Sequence, residues 1–213
     1  MRSIHRRIFA LCTLVAIALS ASLVVAQHDD KKMPAPGTPE AAAMQKQMEE
    51  AMMKAGMPGP EHAEMAKNAG TWDAEVKFLD MASGKWSDPS KGTARFEPIF
   101  DGRYMQMTFE GSMTMGGQTM PFKGMSIMGY DNMKKKYFST WIDSMSTMMM
   151  KSEGTKSGNT LTLMGSMPDP MGHESKTREV VTHTDADHMK YEMYCDMMGK
   201  EAKMMEINYT RKK

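Results

Sequence analysis

From Trp72 onward, apolar and polar residues alternate along the chain with a period of two. The first such stretch runs from Trp72 to Phe78, and others begin at Arg103, Met189 and Met205. Successive side chains of a β-strand point to opposite faces, so this alternation is typical of strands with one buried face. No helix-length pattern interrupts these stretches. The sequence therefore predicts a mainly β domain.

Short turn signals separate the strands, among them Asp101-Gly102, Ser157-Gly158-Asn159 and the Gly129–Asn132 turn. About ten strands with connections of hairpin length predict an antiparallel meander. A meander of this size exposes two unpaired edges unless it closes on itself. The sequence thus predicts an antiparallel up-and-down barrel of about ten strands, with a two-sheet sandwich as the alternative.

The residues before the barrel predict one or two helices. Thr38 is suited to an N-cap and Pro39 to the first helical position. Apolar residues at helical spacing follow until Gly56, and a second short helix is predicted before Gly70. The predicted organisation is a signal peptide at 1–26, a disordered leader at 27–37, a helical segment at 38–69 and a barrel domain at 70–213.

The first 26 residues have the pattern of a secretory signal peptide. Arginines at 2, 6 and 7 precede an apolar run, and Ala26 offers a small residue for cleavage. Because the uncharged run from Ile8 to Ala26 approaches the ~20 residues that span a bilayer, an uncleaved anchor is the alternative. The sequence predicts an exported protein, periplasmic or extracellular, without membrane contact after cleavage.

The charge balance argues against nucleic-acid binding, and the cysteines argue against a disulfide-stabilised fold. The whole chain has 27 basic and 26 acidic residues, which leaves no basic footprint for nucleic acid. After cleavage Cys195 is the one remaining cysteine, so no internal disulfide can form. Stability must then come from packing, and the alternation around Cys195 predicts a buried thiol. The oligomeric state is left open.

Motifs for catalysis are absent from the sequence. It has no Gly-x-Ser-x-Gly elbow, no His-Glu-x-x-His and no glycine-rich phosphate loop. His183 and His188 flank the turn at 185–187 and could meet as a metal pair, but solvated turn residues are the favoured interpretation. No histidine falls on an evident inward-facing strand position. The sequence predicts no cofactor and no metal site at these residues, and an enzyme is the least favoured interpretation.

A candidate ligand site lies in the segment YFSTWID. Tyr137, Trp141 and Asp143 share one face of a predicted strand. Inside a barrel, the aromatic rings could stack on a small apolar ligand while Asp143 fixes its orientation. In the alternative, the rings belong to the core and Asp143 caps the following turn. Phe138 and Ile142 are also apolar, so the pattern leaves open which face points inward.

The chain contains 30 methionines, which serve either as core residues or as soft-metal ligands. Several share the buried parity of strands, where methionine replaces leucine at nearly constant volume; these are Met105, Met107, Met189, Met193 and Met205. A core role leaves the loop methionines unexplained, namely Met113, Met115, Met148–Met150, Met197 and Met198. Copper or silver binding and oxidant scavenging are the alternatives for these.

The two ends of the predicted barrel resemble those of lipocalin-like barrels, the calycins. Gly70-Thr71-Trp72 opens the first strand, and Arg211 lies in the last. In calycins a Gly-x-Trp occupies the first position, and an arginine of the final strand packs over the tryptophan. The resemblance implies that Gly70, Trp72 and Arg211 close the barrel at one end.

Six segments in order resemble a family of uncharacterised bacterial secreted proteins, the domain-of-unknown-function family numbered fifteen seventy-nine. They are MPGPEH, AGTWD, GYDNMKKKY, STWIDSMST, DPMG and EINYTRK, between Met57 and Arg211. The resemblance implies a calycin-like barrel without an established activity. The favoured function is binding of a small apolar ligand in the barrel. The alternatives are soft-metal binding or oxidant scavenging by methionines, and a structural or interaction protein with a filled barrel.

Overall fold

The computed structural model describes residues 33–115, 117–168, 172–197 and 199–213. The predicted signal peptide at 1–26 and the first part of the predicted leader, 27–32, lie outside the described residues. The chain divides into two units, Met1–Ala43 and Met44–Lys213. The described part of the first unit contains the start of a helix, and the second unit contains the whole barrel.

Two helices precede the barrel, α1 (Pro39–Gly56) and α2 (Pro60–Ala66). The hydroxyl of Thr38 accepts a hydrogen bond from the main-chain N–H of Ala41 at 3.2 Å, which caps the start of α1. None of the residues of α1 is buried, so the apolar face predicted for it is not covered. Neither helix in the described ranges is long and apolar enough to cross a membrane.

Eleven strands follow the helices among the described residues. They are β1 (Gly70–Asp80), β2 (Lys85–Trp86), β3 (Ser90–Ile99), β4 (Tyr104–Met115), β5 (Gln118–Asp131), β6 (Lys136–Asp143), β7 (Met150–Ser157), β8 (Thr160–Pro168), β9 (Glu174–His183), β10 (His188–Met197) and β11 (Lys200–Arg211). Every pairing between these strands is antiparallel. Each strand from β3 to β11 pairs with its neighbours in that series, and β1 pairs with β2, with β3 and with β11.

Pairing of β1 with β11 closes ten of these strands into a barrel. The register runs from Trp72 opposite Arg211 to Phe78 opposite Met205. Closure removes the unpaired edges that an open meander would expose. The prediction of a mainly β, closed antiparallel barrel of ten strands after N-terminal helices is confirmed, and the sandwich alternative is wrong.

Three details differ from the predicted strands. The two-residue β2 was not predicted, because two residues are too few to show a period. β7 begins at Met150 and not at 146. The turn predicted at 129–132 lies later, since β5 continues to Asp131. The Asp131 carboxylate accepts hydrogen bonds from the main-chain N–H groups of Met133 and Lys134, at 2.8 and 3.0 Å, and so sets the turn.

Trp72 is fully buried and belongs to the hydrophobic core cluster of the barrel. Its indole meets Phe96 edge to face at 6.2 Å, and Phe96 meets Tyr209 in the same way at 6.3 Å. Met105 and Met189 belong to this buried cluster, so these two methionines act as core residues. Cys195 is a free thiol and only partly buried, and that burial raises its pKa.

Candidate functional site

Helix α2 and the turn after it lie across one end of the barrel. The Asn68 side-chain oxygen is 2.9 Å from Nε2 of His183 in β9. Lys156 Nζ of β7 donates to Glu64 of α2 at 2.8 Å. The Glu64 carboxylate accepts hydrogen bonds from Lys156 and from Lys67. These two bonds, that from Lys156 first, lower the pKa of Glu64 to about 2. The helix and the turn after it are therefore fixed to β7 and β9, and we call this the α2 end.

The Arg211 guanidinium lies over the Trp72 indole at the α2 end, 4.2 Å from the ring centroid. It also donates to the main-chain oxygens of Ala69 and Lys67 at 2.7 and 2.9 Å. Gly70 has a φ of +125° and lies against the guanidinium, so a side chain there would be strained. The residues that the calycin resemblance pointed to thus lie together.

The opposite end of the barrel, which we call the mouth, is where β6 ends and β7 begins. Trp141 stacks on Phe122 of β5 at 6.3 Å, with 22° between the rings. Its indole N–H donates to the Asp143 carboxylate at 3.0 Å. The other oxygen of Asp143 accepts from the main-chain N–H groups of Met145 and Ser146. Asp143 therefore holds both the indole and the turn that follows β6.

A cavity of about 440 Å³ lies inside the barrel between these two ends. Exposed residues such as Met145 and Ser146 line it at the mouth, so it opens to solvent there. A second hollow of about 470 Å³ lies outside the α2 end, and three residues line both spaces: Glu64, Tyr137 and Lys156.

Methionines form much of the cavity wall. Twelve of them line it, namely Met65, Met105, Met107, Met113, Met128, Met145, Met148, Met150, Met167, Met189, Met193 and Met205. Five of these surround the mouth. Three of the five are loop or strand-end methionines that a core role left unexplained: Met113, Met148 and Met150. A flexible, polarisable thioether wall adapts its shape to an apolar occupant.

The three residues predicted to bind a ligand all line the cavity. Tyr137 is 8% exposed and lies near the α2 end, whereas Trp141 and Asp143 lie at the mouth. Four residues of strand separate Tyr137 from Trp141 by about 13 Å, so one small group cannot touch both rings. Ile142 is 36% exposed, on the outer face. Ligand binding by these residues stays a prediction.

A carboxyl group is buried midway along the cavity. Glu179 of β9 is 5% exposed, and its Oε2 accepts a hydrogen bond from the Tyr191 hydroxyl at 3.1 Å. Burial raises the pKa of Glu179, while the nearby Ser152 and Tyr191 hydroxyls act in the opposite direction. Burial and the Glu179 carboxyl also raise the pKa of Tyr191. Glu179 is therefore uncharged over a wider pH range than a solvated glutamate.

Glu179→Gln is expected to change how stability depends on pH. A carboxyl whose pKa is raised stabilises the fold below its ordinary value of 4.5, and this contribution is lost as pH rises through the folded value. Relative to the Gln variant, the native protein should therefore lose stability between pH 4.5 and 8. Urea unfolding at both pH values measures the difference. Exposed Glu75→Gln is the control, and an equal pH effect in both variants would contradict the prediction.

His183 and His188 have different partners and do not form a metal pair. His183 lines the cavity and contacts Asn68, while His188 Nδ1 lies 2.9 Å from Asp185. The interpretation of His183 as a solvated turn residue is wrong, because β9 extends to it and turns it inward. Burial first, and then Lys156, lower its pKa. Within the described ranges, no three His, Cys, Asp or Glu side chains are grouped to hold a metal ion.

A family model described as "Protein of unknown function (DUF1579)" matches residues 57–211. The chain belongs to the DUF1579 family. The match runs from just before α2 to the last residue of β11, so it covers the whole barrel with the helix that lies across its end. The domain that contains the cavity is thus the DUF1579 domain.

Three solved structures have some similarity to this DUF1579 protein. An S-type phycobiliprotein lyase, CPES, from Guillardia theta is 12% identical, with a TM-score of 0.49 over 76% of this chain and 97% of the lyase. A redesigned β-barrel is 13% identical, with a TM-score of 0.38 over 70% of this chain and 95% of the design.

A de novo fluorescence-activating β-barrel is 12% identical, with a TM-score of 0.37 over 70% of this chain and 96% of that design. With TM-scores below 0.5, these likenesses carry nothing about ligand or activity. No curated protein matches the DUF1579 chain significantly.

The sequence reasoning missed Glu179, the most deeply buried acid in the DUF1579 cavity. Both faces of β9 mix polar and apolar residues, so its own alternation does not say which face is buried. The sequence of the neighbouring strand, β10, shows which face of β9 is buried. Pairing across the turn at 185–187 puts Glu179 opposite Met193, which has the buried parity of β10. Extending the hairpin register would have turned Glu179 inward.

Proposed function

We propose that this protein binds a small apolar ligand inside its barrel. The observation that carries the proposal is the 440 Å³ cavity walled by methionine and aromatic side chains. Ligand sites in proteins are typically concave, mostly apolar and about 300–1,000 Å³ in volume, with a few polar groups that fix orientation. Glu179, Tyr191 and Asp143 are such groups here. An empty volume of this size argues against the filled-barrel alternative.

The finer parts of the proposal concern fold type and location. Lipocalin-like architecture is supported by Trp72 under Arg211 at the end of a closed meander. Export is supported by the basic, apolar and small-residue pattern of the first 26 residues. An exported carrier would meet apolar molecules outside the cytoplasm.

Val181→Phe is expected to weaken binding of an uncharged apolar dye, N-phenylnaphthylamine. Val181 of β9 lines the cavity, so the added ring takes up space that the dye would fill. We expect dye affinity to fall roughly fivefold, which corresponds to about 1 kcal/mol. A titration followed by dye fluorescence measures the affinity. Thermal unfolding checks that the variant is folded.

Val180→Phe is the matched control for this experiment. Val180 is the preceding residue of β9, and its side chain points to the outer face of the sheet. The same substitution there should leave dye affinity unchanged. If the dye does not bind the native protein, or if both variants bind it as the native protein does, the proposed ligand site is wrong.

A second candidate is a soft metal ion held by thioethers at the mouth. Five methionines gather there, Met113, Met145, Met148, Met150 and Met167. Thioether sulfur binds Cu(I) in preference to harder metals. A Cu(I) titration of the native protein and of a double variant, Met148→Leu with Met150→Leu, separates the two candidates. Equal Cu(I) affinity in both proteins removes the metal site, and dye binding then decides alone.

A further inference from the structure

The inward face of β9 carries a line of buried polar side chains. Thr177 is 1% exposed and Glu179 is 5% exposed, and His183 follows on the same face. Oγ1 of Thr177, Oε1 of Glu179 and Nδ1 of His183 are buried without a hydrogen-bond partner in the part of the chain that the structure describes. Buried polar atoms without partners are rare in folded proteins, because each has given up its bonds to water. Glu179 and His183 line the cavity, so their unpartnered atoms call for a partner in its occupant.

Glu179 defines what kind of partner this is. Its Oε2 is already an acceptor for the Tyr191 hydroxyl. The Ser152 hydroxyl lies close to the carboxyl, but no donor among the described residues completes a hydrogen bond with Oε1. None of the described lysines, arginines or histidines forms an ion pair with this carboxyl. A buried carboxyl without a cation is most stable in its uncharged form. The acid proton is then available at Oε1, so the group it would bind in the ligand is a hydrogen-bond acceptor.

The charges around the cavity limit the head group of the ligand. A cationic head would meet an uncharged acid at Glu179. Among the described residues, Lys156 is the lysine that lines the cavity, and its Nζ already donates to Glu64 at 2.8 Å, so an anionic head would have no free cation.

The size of the cavity limits the rest of the ligand. One water occupies about 30 Å³ in the liquid, so 440 Å³ has room for roughly fifteen groups of that size. From Glu179 the methionine wall leads towards the mouth. A single hydrocarbon chain of about a dozen carbons fits within this volume.

We propose that the barrel takes a single-chain amphiphile whose uncharged oxygen head accepts a hydrogen bond from Glu179, with its chain along the methionine wall. The inference rests on the proposed binding function and names the chemical class of the ligand. Dodecyl alcohol serves as the probe, with dodecylamine as the cationic counterpart of the same chain. Both are measured at pH 7 by displacement of N-phenylnaphthylamine.

The variants are Glu179→Met and Glu179→Gln, which have nearly the same shape as glutamate. The amide of Gln still donates a hydrogen bond, whereas Met does not. Dodecyl alcohol affinity, divided by the dye affinity of the same protein, should fall about five- to tenfold in Glu179→Met and stay close to native in Glu179→Gln. Glu75→Met, an exposed position on the outer face of β1, is the control and should leave the ratio unchanged.

Two results would overturn the assignment of the head group. One is an equal alcohol-to-dye ratio in the native protein and in Glu179→Met. The other is tighter binding of dodecylamine than of the alcohol together with its loss in Glu179→Gln, because this requires an ionised carboxyl. In both cases the dye still binds and the cavity function stands. Failure of the native protein to bind either dye or alcohol overturns the proposed function itself.

Discussion

Trp72→Ala is expected to lower the free energy of unfolding by about 3–5 kcal/mol, which is large against the 5–15 kcal/mol of a typical domain. The indole is fully buried, donates to the Asn68 main-chain oxygen at 2.9 Å and carries the Arg211 guanidinium on its face. Its removal leaves a cavity where β1, β11 and the α2 end meet. Thermal unfolding should shift down by roughly 6–20 °C.

Trp86→Ala is the matched control, since it deletes the same side chain from the same sheet. Trp86 belongs to the two-residue β2, is 39% exposed, and has Lys203 Nζ 5.3 Å from its ring centroid. An exposed cation–π contact contributes about 0.5–1 kcal/mol, so the loss should be small. A comparable drop in both variants would show that Trp72 does not hold the barrel closed.

Gly154→Ala is expected to destabilise the barrel by about 3 kcal/mol, at the upper end of the cost of overpacking. A Cβ at Gly154 would lie 1.9 Å from the main-chain oxygen of Thr162 and 2.9 Å from the Cα of Leu163. Both atoms belong to the backbone of β8, which cannot rotate away as a side chain could. The pairing of β7 with β8 must therefore shift to admit one methyl group.

Gly56→Ala controls for the change of residue type. A Cβ at Gly56 has no heavy atom within 4 Å, and its φ is not in the left-handed region. This substitution restricts the unfolded chain without a clash, so it should be neutral or stabilise by about 0.4–1 kcal/mol. Chemical unfolding of the two variants measures the contrast. Equal stability of both would mean that β7 and β8 yield at Gly154 without cost.

The sequence predicted the barrel well because its evidence was local and repeated. Alternation at strands such as β1 and β11 places one face inward, and short turns allow only neighbours to pair. The predicted strand boundaries were less accurate where a side chain, and not a main-chain carbonyl, accepts the hydrogen bonds of a turn. Asp131 does this at the turn after β5. The exposure of α1 was not predictable, because periodicity does not say whether a partner surface exists.

The candidate site was predicted in part, and for a related reason. Trp141 and Tyr137 stand out as aromatic residues on one strand face, whatever surrounds them. Glu179 looks like a solvated acid until its strand is placed beside β10. Met113, Met148 and Met150 looked like loop residues until the barrel placed the ends of β4 and β7 around one mouth. What the sequence lacked was the distance between strands far apart in the chain.

The seam between β1 and β11 joins the first strand of the barrel to its last. During synthesis β1 leaves the ribosome long before its second neighbour exists, so the hairpins can form in sequence while the ring stays open. Until β11 arrives, β1 and β10 each expose a row of unpaired main-chain groups that could join another molecule. The risk of aggregation is therefore concentrated in the nascent chain and ends when the final strand docks.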